Sequence, residues 1–346
     1  MAAAFDAADS RLLNLIQTEI PLTAAPWAAL AARAALAPGE ALTRVARLKT
    51  KGLIRRLGGI FDSRRLGYRG TLCAFRAPAG RVQAMAAVIN AYAGVTHNYT
   101  RRHEYNMWCT LLAPGQAELE RLTEEMRSRV GADKWLNLPA RRYFKVRVNF
   151  PVYSPGEGPA PKTETWETDR RDAGEDAGGA AVFSGGGMNE PVFTDAEKRL
   201  IAALQDGLPL TERPYAALAA GLGQREEDVL AALTLWREQG VLKRVAAVPR
   251  HRLIGYSANA LVVWRIPAAQ VETAGRRLAA RPEVTHCYER ESPPGWPYNV
   301  YAMIHARSED DCRALAGDAA EMIGIKEYEL LFSEAELKKS SIKYFA

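Results

Sequence analysis

The chain has 346 residues, 48% of them apolar and 25% charged, enough for two or more domains with a buried core. Residues 1–10 carry no basic segment leading into an apolar run, and no stretch approaches the roughly 18 uncharged apolar residues of a membrane helix, so a cytoplasmic protein with no membrane partner is expected. The formal charge of +6 points to an anionic partner, and Cys73, Cys109, Cys287 and Cys312 form no CxxC pair, so they read as free thiols rather than zinc or iron–sulfur ligands.

In chain order, residues about 9–18, 27–34 and 39–51 read as three short helices. Leu12, Leu13, Leu15 and Ile16 give the first a buried face, Pro26 starts the second and Gly52 ends the third. "LIRRLGGIFDSRRLGY" reads as two short strands around a turn, a wing, which makes 1–68 a winged helix-turn-helix. From 69 to 150 strands and helices alternate: "TLCAFRA", a helix near 80–92, "VTHNYTR", "YNMWCTLLA", a helix near 115–130 and "RRYFKVRV". The order β-α-β-β-α-β is ferredoxin-like. Residues 151–190, rich in Pro, Gly, Asp, Glu and Thr, read as a flexible linker.

The pattern then repeats. "DSRLLNLIQTEIPLTAAPWAALA" from Asp9 matches "EKRLIAALQDGLPLTERPYAALA" from Glu197, and the register holds without a gap to Tyr68 and Tyr256, with "KGLIRR" against "QGVLKR". After one inserted residue "GVTHNY" matches "EVTHCY", and a Tyr-Asn pair follows in both, Tyr105-Asn106 and Tyr298-Asn299. A second winged helix-turn-helix at 191–256 and a second α+β domain at 257–346 are expected, with strands near 257–266, 283–290, 297–306 and 325–332 and a tail after them. The fold class is α+β, a duplicated winged helix-turn-helix plus ferredoxin-like module, the two halves pairing as a pseudo-heterodimer.

Strand alternation puts His97, Tyr99 and Arg101 on one face of their strand, and His286, Tyr288 and Arg290 on the equivalent face of theirs. A lone strand histidine is ordinarily structural; duplication at one repeat position, followed each time by Tyr and Arg, marks a site. His103 has no counterpart, because the second copy has "ESPPGWP" there, which makes the halves unequal. His251 reads as an exposed wing residue and His305 as structural.

The winged helix followed by this α+β module resembles the leucine-responsive, or feast/famine, regulators. "IRRLGGIFDSRRLGY" joined to "THNYTRRHEYNMW" in one copy and "THCYERESPPGWPYNVY" in the other resembles, more specifically, the sirohaem decarboxylases, whose two related subunits this chain looks like in fused form. The resemblance implies non-oxidative loss of two acetate carboxyl groups from sirohaem, giving 12,18-didecarboxysirohaem on the way to haem or haem d1, with no cofactor beyond the substrate's own iron. For a macrocycle with eight carboxylates, Arg101, Arg102, Arg141, Arg142, Lys145 and Arg290 are candidate clamps. Tyr99, Tyr105, Trp108, Tyr288, Trp296 and Tyr298, with Asn106 and Asn299, are candidate lining residues, although core packing is the better account of Trp108. Arg141, Arg142 and Lys145 also suit a solvated strand edge. His97, His286 and His103 are the candidate acids that protonate the carbon left by carbon dioxide, with a contact from His97 or His286 to the substrate iron as the alternative. A firm arginine pair on the departing carboxylate would stabilise the ground state, so the arginines are assigned to retained carboxylates.

Two other classes compete: a DNA-binding regulator and a haem-responsive sensor. The third helix of the first copy carries Arg44, Arg47, Lys49 and Lys51, suited to phosphates, but the second carries Glu226, Glu227, Asp228 and Glu238, so no specific nucleic-acid partner is expected.

Overall fold

The computed structural model describes residues 5–146, 150–153 and 192–345. The first copy consists of α1 (Ala7–Thr18), α2 (Pro26–Arg33), α3 (Glu40–Thr50), β1 (Ile54–Phe61), β2 (Tyr68–Phe75), α4 (Val82–Asn90), β3 (Val95–Arg101), β4 (Met107–Pro114), α5 (Gln116–Val130) and β5 (Trp135–Val146). The second consists of α6 (Asp195–Asp206), α7 (Pro214–Leu222), α8 (Glu226–Glu238), β6 (Leu242–Pro249), β7 (Ala258–Trp264), α9 (Val271–Ala280), β8 (Val284–Arg290), β9 (Val300–Ala306), α10 (Glu309–Ile323) and β10 (Tyr328–Lys339). Capping boxes start both leading helices: Asp6 with Asp9 on α1, and Thr194 with Glu197 on α6.

The two trihelical units share one core. Leu12, Ile16, Val45 and Leu57 pack with Leu204, Leu233, Trp236 and Val245, and Trp27 Nε1 donates to the Thr211 carbonyl of the other copy at 2.7 Å. Here the expected wing hairpin is corrected. β1 does not fold back on a neighbouring strand; it pairs antiparallel with β6 of the second copy, Leu57 opposite Ala247 and Gly59 opposite Val245. Gly58 lets this ribbon press on α6, because a Cβ there would meet the Leu204 carbonyl at 2.4 Å.

The remaining eight strands close into a barrel in the order β10-β3-β4-β2-β5-β8-β9-β7. Within each copy the order β5-β2-β4-β3, or β10-β7-β9-β8, is that of a ferredoxin-like sheet. The long fourth strands join the copies. The first half of β5 pairs with β2 and its second half with β8; β10 likewise pairs first with β7 and then with β3. Two further expectations are corrected by this closure. The last strand of copy one begins at Trp135, not near Arg141, and the segment expected as a tail after residue 332 forms the second half of β10. Both extensions find their hydrogen-bonding edge in the other copy. Tyr344, beyond β10, is buried against Phe61 and Tyr68.

Candidate active site

β3 and β8 lie opposite each other in the barrel. Asn98 turns outward to Asn90 on α4 at 3.0 Å, and Cys287 outward to the Gly275 carbonyl on α9 at 3.8 Å. Their alternating neighbours His97, Tyr99 and Arg101, and His286, Tyr288 and Arg290, therefore face the interior. The two sets have the same geometry. His97 Nδ1 lies 3.0 Å from Thr96 Oγ1, and His286 Nδ1 lies 3.0 Å from Thr285 Oγ1. Each imidazole stacks on the following tyrosine with centroids 6.1 Å apart. The Nε2 atom of each has no hydrogen-bond partner among the described residues.

The two histidines also sense each other. Burial, reinforced by Lys339 and Arg55 and opposed by Glu336, holds His97 down at about 4. Burial, followed by the charges of His97, Lys145, Lys243 and Arg290, holds His286 at about 4. Both rings are thus neutral at pH 7 and sit in a positive field. Arg55 and Lys243 come from equivalent places on the β1–β6 ribbon, so the ribbon supplies one cation to each histidine. Lys243 also lies 3.6 Å from Asp62; burial would raise the Asp62 carboxyl, but Arg64 and Lys243 outweigh it and hold the group at about 2. Arg64 in turn stands 4.3 Å over the Tyr143 ring, which meets Tyr288 edge-on at 5.3 Å, and burial drives the Tyr288 phenol upward. Opposite Tyr99 the second copy places Glu336, which accepts from the Tyr99 hydroxyl at 3.2 Å.

Arg101 and Arg290 are inside the barrel and tied to its frame. Arg101 donates to the Leu331 carbonyl at 2.8 Å and to Ser333 Oγ at 2.9 Å, and Arg290 to the Leu138 carbonyl at 2.6 Å. Burial brings the Arg101 guanidinium down to about 10. The Nε of each is buried with no hydrogen-bond partner among the described residues, an orphan donor open to an anion.

Other candidates fall elsewhere. His103, at the hairpin end of the barrel, accepts from the Tyr105 amide at 2.9 Å and lies 3.2 Å from Glu329. It meets Trp296 edge-on at 5.4 Å, and Trp296 packs with Trp108, Tyr105 and Tyr298. Trp108 and Trp296 belong to the interior core with Leu136, Leu261 and Leu331, so this aromatic group plugs one end of the barrel. Tyr298 donates to Glu329 at 2.6 Å. Asn106 and Asn299 each bond both the amide and the carbonyl of one residue, Ala77 and Ile266, which engages their side chains with the backbone. Arg102 pairs with Glu309, Arg141 with Glu291 at 3.7 Å, and Arg142 with Glu272 and with Glu289 at 3.3 Å. Lys145 donates to the Arg281 carbonyl at 2.7 Å, on the helical face of the sheet. Arg55, Arg64, Lys243, Tyr143, Glu336, Thr96 and Thr285 were not among the sequence candidates. The alignment of "KGLIRR" with "QGVLKR" already placed Arg55 opposite Lys243. His251 opens a short turn, His251–Ile254, and its side chain lies outside the described residues.

Comparison with known proteins adds identity to this geometry. Residues 65–145 and 253–338 match the AsnC-like ligand binding domain, and residues 9–55 and 197–242 the siroheme decarboxylase NirDL-like HTH domain. The siroheme decarboxylase of Hydrogenobacter thermophilus is 34% identical over 337 residues, 97% of this chain and 94% of that protein. The siroheme decarboxylase beta subunit of Methanosarcina barkeri is 43% identical over 145 residues, which is 95% of that subunit but 42% of this chain. The crystal structure of the siroheme decarboxylase NirDL in co-complex with an iron-uroporphyrin III analogue superposes with a TM-score of 0.70 at 31% identity, covering 98% of this chain and 95% of that one.

Proposed function

The chain belongs to the sirohaem decarboxylase family, and on that premise we propose that the ring of residues shared by its two copies binds one sirohaem and removes two of its acetate carboxyl groups, giving 12,18-didecarboxysirohaem in an alternative haem or haem d1 pathway. The enzyme is a carboxy-lyase acting on an iron tetrapyrrole. The observation that carries the site assignment is the convergence of His97 and His286: equivalent residues on opposite strands, identically held by a threonine, and close enough for the charge of one to act on the other. Each is completed by the other copy, because β10 carries Lys339 to His97 and β5 carries Tyr143 and Lys145 to the strand of His286.

In this reading Arg55, Lys243, Lys339 and the orphan Nε donors of Arg101 and Arg290 hold retained carboxylates. The buried setting leaves the departing acetate poorly solvated. Its C–C bond breaks, carbon dioxide leaves, and the electron pair spreads into the macrocycle before the methylene carbon takes a proton from a histidine Nε2. The step is redox-neutral and calls on no cofactor beyond the iron that sirohaem brings. His103 belongs on this reading to the plug at the hairpin end, contributing shape rather than the proton.

The chain is read as two fused subunits, 1–68 with 69–150 and 191–256 with 257–346, joined by the linker 151–190, whose residues from 154 lie outside those described. Fusion keeps the two halves of the site at high effective concentration. A DNA-reading role is disfavoured by α3 itself: Arg44 is engaged with Asp6, Asp9 and Glu40, and Arg47 with Asp9. No helix among the described residues is long and apolar enough to cross a membrane, in keeping with a cytoplasmic enzyme. The test is anaerobic incubation of the purified protein with sirohaem and mass analysis of the product. Loss of two carbon dioxide molecules without an electron acceptor is the expected result; an unchanged mass, or a strict need for an oxidant, overturns the proposal.

A further inference from the structure

The two copies differ behind their histidines. In copy two Thr285 Oγ1 lies 3.0 Å from His286 Nδ1 and 3.3 Å from Nδ1 of a second histidine, His305 on β9. The hydroxyl also lies 3.4 Å from the Met303 carbonyl; turned to the nearer His286, it donates to that nitrogen while accepting from His305, and the three groups then form a continuous chain of exchangeable protons. His305 faces a cavity of about 140 Å³ that it lines with Phe150, Tyr153, Tyr256, Glu283 and Thr285. Such a volume accommodates several water molecules. In copy one the threonine is kept, Thr96 at 3.0 Å from His97, but the position matching His305 on β4 is Leu112.

We infer that His305 and Thr285 form a proton relay that recharges His286 from the cavity at the moment His286 protonates the decarboxylated carbon. The inference rests on the decarboxylase reading above. As carbon dioxide leaves one acetate, the freed methylene carbon takes the Nε2 proton of His286. Nδ1 of His286 takes the Thr285 hydroxyl proton, Thr285 takes the Nδ1 proton of His305, and His305 takes one from cavity water. One solvent proton is consumed for each carbon dioxide released, and no electrons are exchanged. The relay answers a definite difficulty: an imidazole that enters the step neutral would be left as an imidazolate after donating, unless its second nitrogen is protonated in the same event. Thr285 and His305 do not touch the substrate in this scheme; they supply and position the proton.

The test is a single turnover of the full chain with bound sirohaem, product masses followed with time in H₂O and in D₂O. Thr285→Val and His305→Leu, the latter installing the residue copy one carries, should each slow one of the two losses by about 10-fold, a modest share of the 10²–10⁴-fold that an acid contributes. The singly decarboxylated product should accumulate, with a larger solvent isotope effect on that loss. Thr285→Ser keeps the hydroxyl and should stay within about 2-fold of the parent, which also shows that the site tolerates substitution. Thr96→Val removes an orienting hydroxyl with no relay behind it and measures orientation alone. If His305→Leu loses both carboxyl groups at the parent rate, or if Thr285→Ser is as slow as Thr285→Val, the relay is wrong while the decarboxylase reading stands. If the unaltered protein releases no carbon dioxide from sirohaem, that reading fails, and the relay with it.

Discussion

Arg290 donates from Nη1 to the backbone carbonyl of Leu138 at 2.6 Å, across the boundary between the copies, and Arg101 makes the reciprocal bond to Leu331. One face of each guanidinium thereby holds the barrel closed, and the buried Nε stays uncommitted. Lysine cannot do both, because it lacks the planar fork. Arg101→Lys and Arg290→Lys should each weaken sirohaem binding by about 10- to 100-fold, the value of a hydrogen bond to a charged group. Titration followed by the sirohaem absorption band checks this. Unchanged affinity in both variants would confine the arginines to the frame.

Acid should unfold the protein through its histidines. Both rings are held at about 4, below their ordinary 6.5, so between those values the unfolded chain binds more protons than the folded one. Stability is therefore unaffected above pH 6.5 and falls as the pH is lowered from 6.5 to 4, by on the order of 2 kcal/mol per ring at pH 5. Urea unfolding at pH 7 and pH 5 should show the loss, and His97→Gln or His286→Gln should lessen it by one ring's share. Equal losses in parent and variants would show that other groups control acid stability.

Substrate should reverse that shift at His97, which has no relay behind it and so enters the step charged, whereas His286 stays neutral and is recharged through Thr285. A macrocycle carrying carboxylates beside His97 favours its charged imidazole. Binding near pH 6 should take up about one proton, seen as a binding enthalpy that varies with the ionisation enthalpy of the buffer. A buffer-independent enthalpy would mean that no carboxylate comes near His97.

Much of this site is legible in one copy's sequence because a strand repeats every two residues. "VTHNYTR" and "VTHCYER" place His, Tyr and Arg on one face, and the strands β3 and β8 carry them inward together. What stays hidden is pairing between copies. The stretch after Leu53 has the composition of a wing, yet β1 finds its partner about 190 residues away in β6, a choice made by the shared core rather than by local turns. "RRYFKVRV" alone reads as the last strand of copy one, whereas β5 begins at Trp135 on β2, with Pro139 at the end of that pairing. Arg141, Arg142 and Lys145 look like a cationic strand in isolation, but Glu291, Glu272, Glu289 and the Arg281 carbonyl of the other copy meet them. Arg55 and Lys243 escape notice for the same reason: their targets are in strands far along the chain.

The helix that would read DNA is tied internally. Asp9 is fully buried and receives both Arg44 and Arg47. Arg44→Ala should destabilise the protein by about 1–3 kcal/mol, since it strips a partner from a buried carboxylate. It should leave duplex binding as it is in the parent, weak and steeply dependent on salt. A nanomolar footprint on a defined duplex, lost in Arg44→Ala, would restore the regulator reading.

The central claim is that the two copies place equivalent histidines on one macrocycle, each serving one acetate. The most direct measurement is the mass and ring position of the products formed anaerobically from sirohaem by the parent, His97→Ala, His286→Ala and the double variant, with the bound-substrate absorption recorded alongside. The parent should release two carbon dioxide molecules. Each single variant should stall after one, on different rings, with the remaining loss slowed by about 10²–10⁴-fold; the double variant should release almost none, and the absorption should keep its position, whereas a shifted band in either single variant would mark that histidine as a ligand to the iron instead of an acid. Loss of both carboxyl groups at the parent rate in both single variants would contradict the claim.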